Sequence, residues 1–159
     1  NSSALFTLSK LEKCLNTTKV IKNNRIVTEL VRRYFDGDNY SIQQEIFWRN
    51  PGGREIFPHQ DRVYDCDKHL SIVVPLSQVK IKSSPLVYCP IAEDIKVPHV
   101  FSLKNSRYCA KDFKYRYELP YTSNDIIIHT HTSLHKAKKP NIKSTRITYL
   151  RLIIKEILP

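Results

Sequence analysis

The sequence has no methionine, and its four cysteines form no Cys-x-x-Cys pair. Cys14, Cys66, Cys89 and Cys109 are scattered, a spacing that argues against a zinc ribbon or a dithiol redox motif. Free thiols, buried or half-buried in a reducing cytoplasm, are the expected state. No apolar run reaches membrane-spanning length. The strongest, Ile147 to Leu158, is broken by Arg151, Lys155 and Glu156. The N-terminus shows no basic start, apolar block and small-residue cleavage site, so neither a membrane nor a secreted role is expected and the chain reads as cytoplasmic. Internal repeats and low-complexity linkers are missing too. Because the chain starts at Asn1, it is expected to be processed or partial, and spacings are read within it.

Acidic residues are also few: 15 Asp and Glu stand against 26 Lys and Arg, a net charge of +11. Such a field attracts anions, whether nucleic acid, acidic lipid or small phosphorylated or carboxylated molecules. The basic residues are spread along the chain. Only Lys136 to Lys143 is dense, with four Lys in eight positions, and a solvated loop explains it at least as well as a nucleic-acid patch.

What is present fits one domain over residues 1–159, large enough for a core without disulfides. A helical N-terminal part is expected over 1–38 and a β core over 39–159. Leu5, Leu8, Leu11 and Leu15 recur near the helical period and predict a helix over Ser3 to Asn16. Ile26, Val27, Leu30, Val31 and Tyr34 predict a second over Asn24 to Phe35, capped by Asn23. Asp36-Gly37-Asp38-Asn39 is a turn. The strands predicted beyond it are Tyr40 to Trp48, His69 to Leu76, Pro85 to Cys89, Phe113 to Leu119, Asp125 to His131 and Arg146 to Leu158. They are short, rich in Ile, Val, Tyr and Phe, and mostly bounded by turn signals. Such a pattern predicts a mainly β fold, a double-stranded β-helix (jelly roll) of two packed sheets with the N-terminal helices packed on one of them. Pro75, lacking an N–H, should sit at an edge or a bulge.

The chemistry is carried by His59-Gln60-Asp61. In an extended segment residues i and i+2 point to one side, so His59 and Asp61 can reach one point in space. An imidazole and a carboxylate placed so are two thirds of the facial triad that holds Fe(II). By itself a surface His and Asp near a turn would explain the motif. The C-terminal half adds His129, His131 and His135, which compete for the third position. Arg146 follows His135 by eleven residues, on a strand beyond the Lys139-Pro140-Asn141 turn. Its planar fork suits a carboxylate such as the far end of 2-oxoglutarate, although a surface salt bridge is the plain alternative.

Together these motifs resemble the phytanoyl-CoA dioxygenase-like branch of the 2-oxoglutarate-dependent oxygenases. Gln44 to Gly52, running on to Pro58-His59-Gln60-Asp61, is similar to that branch's strand, Pro-Gly turn and H-Q-D. Leu70 to Leu76 is similar to its next core strand, and Ser84-Pro85-Leu86 with Cys89-Pro90 to its G-P-L…P-G-S-H segment. Asn124-Asp125 through Leu134-His135, with Asn141, Ser144 and Arg146, is similar to its G-D…L-H…N-x-S…R tail. The likeness spans residues 40 to 155 in the family's order. Asn124 stands where the branch has glycine. Pro90-Ile91-Ala92 replaces P-G-S-H, with His99 as the nearest histidine, and the chain is shorter than typical members.

The resemblance implies iron bound by His59, Asp61 and His135. It implies 2-oxoglutarate held by Arg146, with Gln44 and Ser71 as further contacts. Gln43 replaces Gln44 if the register slips by one residue, and Arg151 is the next cation if Arg146 does not serve. His129 is read as a core or supporting imidazole, His131 as a surface one, and His69 and His99 as structural. The implied reaction uses O2 to hydroxylate a small, anionic or carrier-linked substrate, with release of succinate and CO2. An AlkB-like nucleic-acid demethylase would use the positive charge. However, its R-x-N-x-T-x-R tail is not met by Arg146-Ile147-Thr148-Tyr149-Leu150-Arg151. A non-catalytic metal-binding jelly-roll protein is the remaining alternative.

Overall fold

The computed structural model describes residues 8–61, 68–80, 86–89, 117–141 and 146–157. Two helices, α1 (Leu8–Lys22) and α2 (Arg25–Phe35), precede the strands. These are β1 (Tyr40–Arg49), β2 (Ile56–His59), β3 (His69–Pro75), β4 (Leu86–Cys89), β5 (Tyr117–Leu119), β6 (Ile127–Thr130), β7 (Leu134–Ala137) and β8 (Ile147–Glu156). They form two antiparallel four-stranded sheets, ordered β1-β8-β3-β6 and β2-β7-β4-β5. The fold is mainly β with two N-terminal helices, in the strand order of a jelly roll.

Asn24, rather than Asn23, caps α2: its Oδ1 accepts the N–H groups of Ile26 at 3.0 Å and Val27 at 3.1 Å, two donors the helix cannot satisfy itself. Asp36 ends the helix in the left-handed region, φ 56°. The expected apolar stripe divides. Val27, Val31 and Phe35, one turn apart, are buried, while Ile26 is 79% exposed. Helix α1 runs on past Asn16 to Lys22, and beyond residue 11 the face it buries is Cys14, Thr18 and Ile21, while Leu15 faces solvent. A cysteine and a threonine carry little hydrophobic signal, so the leucine spacing did not extend to this part of the helix. Cys14 is a buried free thiol. Cys66, Cys109, His99, Ser84, Pro85 and Ser144 lie outside the described residues.

Alternation along β8 builds two cores. Leu150, Leu152 and Ile154 join Leu70, Ile72 and Val74 of β3 and the buried faces of the helices, with Ile42 and Ile46 of β1 packed against them. Ile147 and Tyr149, on the opposite face, join Val73, Ile127 and Tyr121, with Phe47, Leu86 and Tyr88 alongside. The helices therefore pack on one sheet, and β3, covered on both sides, is buried along all seven residues. Pro75 ends that strand. Leu76 donates its N–H to Thr148 of β8, so by alternation the donor that proline lacks would face β6, whose pairing stops at Val73. Strands β2 and β7 were not among the predicted strands. Each is four residues long, too short for a period to show, and pairing with neighbours defines them.

Ile72, fully buried between sheet and helices, reports on that core. Ile72→Ala should lower the unfolding free energy by about 2–5 kcal/mol, read as a lower denaturant midpoint at unchanged slope. A midpoint shift worth under about 1 kcal/mol would mean that the helices do not cover this face.

Candidate metal centre

Strand β2 ends at His59, directly opposite His135 of β7, and the two rings lie 4.4 Å apart between centroids. Gln60 turns the other way, donating from Nε2 to the Thr132 carbonyl at 2.8 Å, which anchors the end of the strand. Asp61 thus returns to the side of His59, with Oδ1 3.5 Å from His59 Nε2 and 3.9 Å from His135 Nε2. One ligand atom from each of His59, Asp61 and His135 lies within 4.8 Å of the other two. Of the three competing histidines, His135 is the one brought into this group. His129 stands behind the carboxylate, with Nε2 3.6 Å from Asp61 Oδ2. His131 is half-buried, its Nδ1 3.0 Å from the Tyr34 hydroxyl.

His135 and Asp61 are in the protonation states a divalent metal needs. His135 Nδ1 lies 3.0 Å from the Ser133 carbonyl, which accepts its proton and leaves Nε2 bare toward Asp61. Burial, reinforced by the neighbouring His129 and His59, pushes the His135 pKa down to about 3. Burial alone would raise Asp61. His59, His135, Arg151 and His129 together hold it well below the usual carboxylate range. A neutral His135 and an ionised Asp61, with His59 beside them, form a donor set of the type that fits Fe(II).

The remaining predicted residues fall differently. Ser71, fully buried on β3, has its Oγ 3.4 Å from Asp61 Oδ2 and accepts Arg151 Nη2 at 3.0 Å. Arg146 is corrected: it is exposed, donates from Nε to Asn50 Oδ1 at 3.0 Å and stacks over Trp48 at 5.1 Å. Parity explains it, since residue 146 alternates with Thr148 and Leu150, away from the barrel interior. Gln44 is corrected for the same reason. It pairs with Leu152, a helix-side position, and is exposed. Gln43 has the parity of Phe47 and Arg49 yet is exposed as well.

In their place the barrel interior offers Arg49 and Arg151. Both line a cavity of about 200 Å³ together with His59, Asp61, His135 and Tyr88. Arg49 is 6% exposed, and its Nη2 donates to the carbonyls of Arg54 and Lys138, each at 3.0 Å. Among the described residues no carboxylate lies within ion-pair distance of it. The Tyr88 hydroxyl is buried with no hydrogen-bond partner among the described residues, and burial pushes its pKa up. Tyr121 and Tyr149 join their hydroxyls at 2.8 Å in the same wall. Odd-number parity on β1 and β8 was the signal that could have found both arginines.

His69, almost fully buried, is pushed by burial and then by His131 from the ordinary 6.5 down to about 4. With His135 it resists protonation in the fold but not in the unfolded chain. The stability this lends is complete above about pH 6.5 and is lost as pH falls toward 4 and then 3. Metal-free protein should lose on the order of a few kcal/mol between pH 7 and 4, visible as a falling Tm. A flat Tm across that range would contradict the buried neutral state of both rings.

No family model and no curated protein matches the chain. Solved structures do. EvdO2 from Micromonospora carbonacea var. aurantiaca, complexed with 2-oxoglutarate, aligns at TM-score 0.63 and 15% identity over 89% of this chain. HygX from Streptomyces hygroscopicus, with nickel, 2-oxoglutarate and hygromycin B bound, aligns at TM-score 0.63 and 9% identity over 89% of this chain. SnoN, the non-haem α-ketoglutarate-dependent epimerase from nogalamycin biosynthesis, aligns at TM-score 0.63 and 14% identity over 88%. The chain spans 64%, 65% and 56% of those chains respectively. The fold is that of the Fe(II)/2-oxoglutarate-dependent oxygenases, with a candidate His-x-Asp…His triad in the position where the two sheets meet.

Proposed function

We propose that the chain is an Fe(II)/2-oxoglutarate-dependent oxygenase of the phytanoyl-CoA dioxygenase-like kind. It hydroxylates a small, anionic or carrier-linked substrate and releases succinate and CO2. One observation carries this: a single cavity holds both a His-Asp-His donor set and a buried guanidinium, Arg49, with no carboxylate partner among the described residues. A buried cation left without a counter-ion is costly, and a carboxylate entering the cavity would relieve that cost.

Iron and 2-oxoglutarate, once bound, supply the oxidising chemistry, with His59, Asp61 and His135 as the metal's ligands. Along β1 and β8 the pairing Glu45–Arg151 lies beside Asp61, Phe47–Tyr149 comes next, and Arg49–Ile147 closes the row. A diacid can therefore extend from the triad along this wall to Arg49, whose fork is already held by two carbonyls. The Tyr88 hydroxyl, without a hydrogen-bond partner among the described residues, donates to the same guest. Phe47, Val73 and Leu86 keep water out. At about 200 Å³ the cavity suits the cosubstrate alone, since sites for drug-sized ligands run roughly 300–1,000 Å³. The substrate then meets the metal from the mouth. The net charge of +11 favours an anionic one, and hygromycin B in HygX is a precedent for a small molecule.

The test is iron-dependent conversion of 2-oxoglutarate to succinate. Succinate should form with Fe(II) and O2, and not in the His59→Ala, Asp61→Ala double variant. Equal turnover by both would remove the proposal. Stimulation by single-stranded DNA but not by small acids would turn it toward a nucleic-acid demethylase.

A further inference from the structure

Arg151 does more than fill a position on β8. Its Nη2 donates to Asp61 Oδ2 at 2.7 Å, and Nε and Nη2 reach Ser71 Oγ at 3.2 and 3.0 Å. Nη1 lies 3.5 Å from Glu45 Oε2. Asp61 Oδ2 is thereby occupied, and Oδ1 is the oxygen that faces His59 and His135. The carboxylate is set to offer a metal one oxygen. The guanidinium also changes the charge of the site. One carboxylate faces one guanidinium, so their charges cancel before a metal enters. Glu45 offsets Arg151 only in part, because its side chain is 42% exposed and screened by water.

We infer that Arg151 acts as a counter-cation that weakens the site for bare metal and strengthens the metal-loaded site for its anionic cosubstrate. The inference rests on the oxygenase reading above. A divalent cation arriving next to Arg151 is repelled by it, whereas Asp61 is already neutralised and attracts less. Once the metal is in, the pocket holds more positive charge than a lone His-Asp-His triad would. A doubly negative guest cancels that charge. Arg151 is a positioning residue by its hold on Asp61 and an electrostatic one by its charge. The two roles predict opposite signs.

The experiment is a pair of titrations on the full chain: Co(II) into metal-free protein, and 2-oxoglutarate into Co(II)-loaded protein, followed calorimetrically and by the cobalt visible spectrum. Arg151→Gln should bind Co(II) about tenfold more tightly or better and bind 2-oxoglutarate about tenfold more weakly or worse. Arg151→Lys, which keeps the charge, should stay near the parent in both. Glu45→Gln removes the partial offset and should shift both affinities the other way by a few-fold, which keeps the test alive if Arg151→Gln does not fold. Loss of both affinities in folded Arg151→Gln, or no shift in Glu45→Gln, would overturn the inference and leave the oxygenase reading standing. A parent chain that takes up no Co(II) would overturn both.

Discussion

Asp61→Ala should strip the protein of its divalent metal and abolish turnover. Asp61 is the sole anionic member of the donor set. Losing a residue that merely orients a ligand already costs 10–100-fold in metal affinity, so losing the charged ligand should cost more than about 100-fold. Stability should fall as well, because Arg151 loses its closest partner at 2.7 Å, and breaking a buried pair costs about 3–5 kcal/mol. Asp61→Asn separates the two effects. It keeps the shape and an acceptor for Arg151 but removes the charge, so it should fold better than the alanine variant and still bind Co(II) poorly. Co(II) titration checked against the melting curve decides the matter. A folded Asp61→Asn that binds Co(II) like the parent would dismiss this carboxylate as a ligand.

The second large effect belongs to Arg49. A guanidinium gripping a carboxylate through two hydrogen bonds, at roughly 1.5–3 kcal/mol each, is worth about two to four decades of affinity. Arg49→Ala should therefore weaken 2-oxoglutarate binding by about a hundredfold or more while Co(II) binding survives. Arg49→Lys should restore part of it, a point charge in place of the fork. Arg146→Ala is the informative companion, since that side chain is exposed and engaged by Asn50 and Trp48. It should leave 2-oxoglutarate affinity unchanged. The reverse pattern, loss at Arg146 and none at Arg49, would return the clamp to the start of β8.

The two arginines show how far the sequence could be read. His59 and Asp61 were legible because a two-residue spacing in an extended segment has one geometric meaning. The side of the sheet that each residue faces was not, because it depends on register, and register is set by partners far away in the chain. Residue 146 and residue 151 differ in parity, so one pattern of pairing decides which of them enters the barrel. Gln44 was misplaced by the same ambiguity. The helices were legible as helices, but the extent of α1 was not. It docks through Cys14, Thr18 and Ile21, whose mixed chemistry shows no period until the sheet beneath is known. Strands β2 and β7 were too short to announce themselves, although they carry all three members of the donor set or lead directly into them.

Strand β8 lies between β1 and β3, and among the described residues it is the only strand that pairs with β1. Ribosomal synthesis makes β1 more than a hundred residues before that partner. At about 5–20 residues per second, the paired edges of β1 and β3 wait for seconds, apolar and unzipped, until residue 156 has emerged. The pairing Tyr40↔Glu156, fastened by Asn39 Nδ2 donating to the Ile157 carbonyl at 2.8 Å, then closes a loop of more than a hundred residues. Such remote contacts put the barrel among slow-folding topologies. A nascent chain arrested before β8 should be a strong client for holdase chaperones, and one arrested just beyond it should be released.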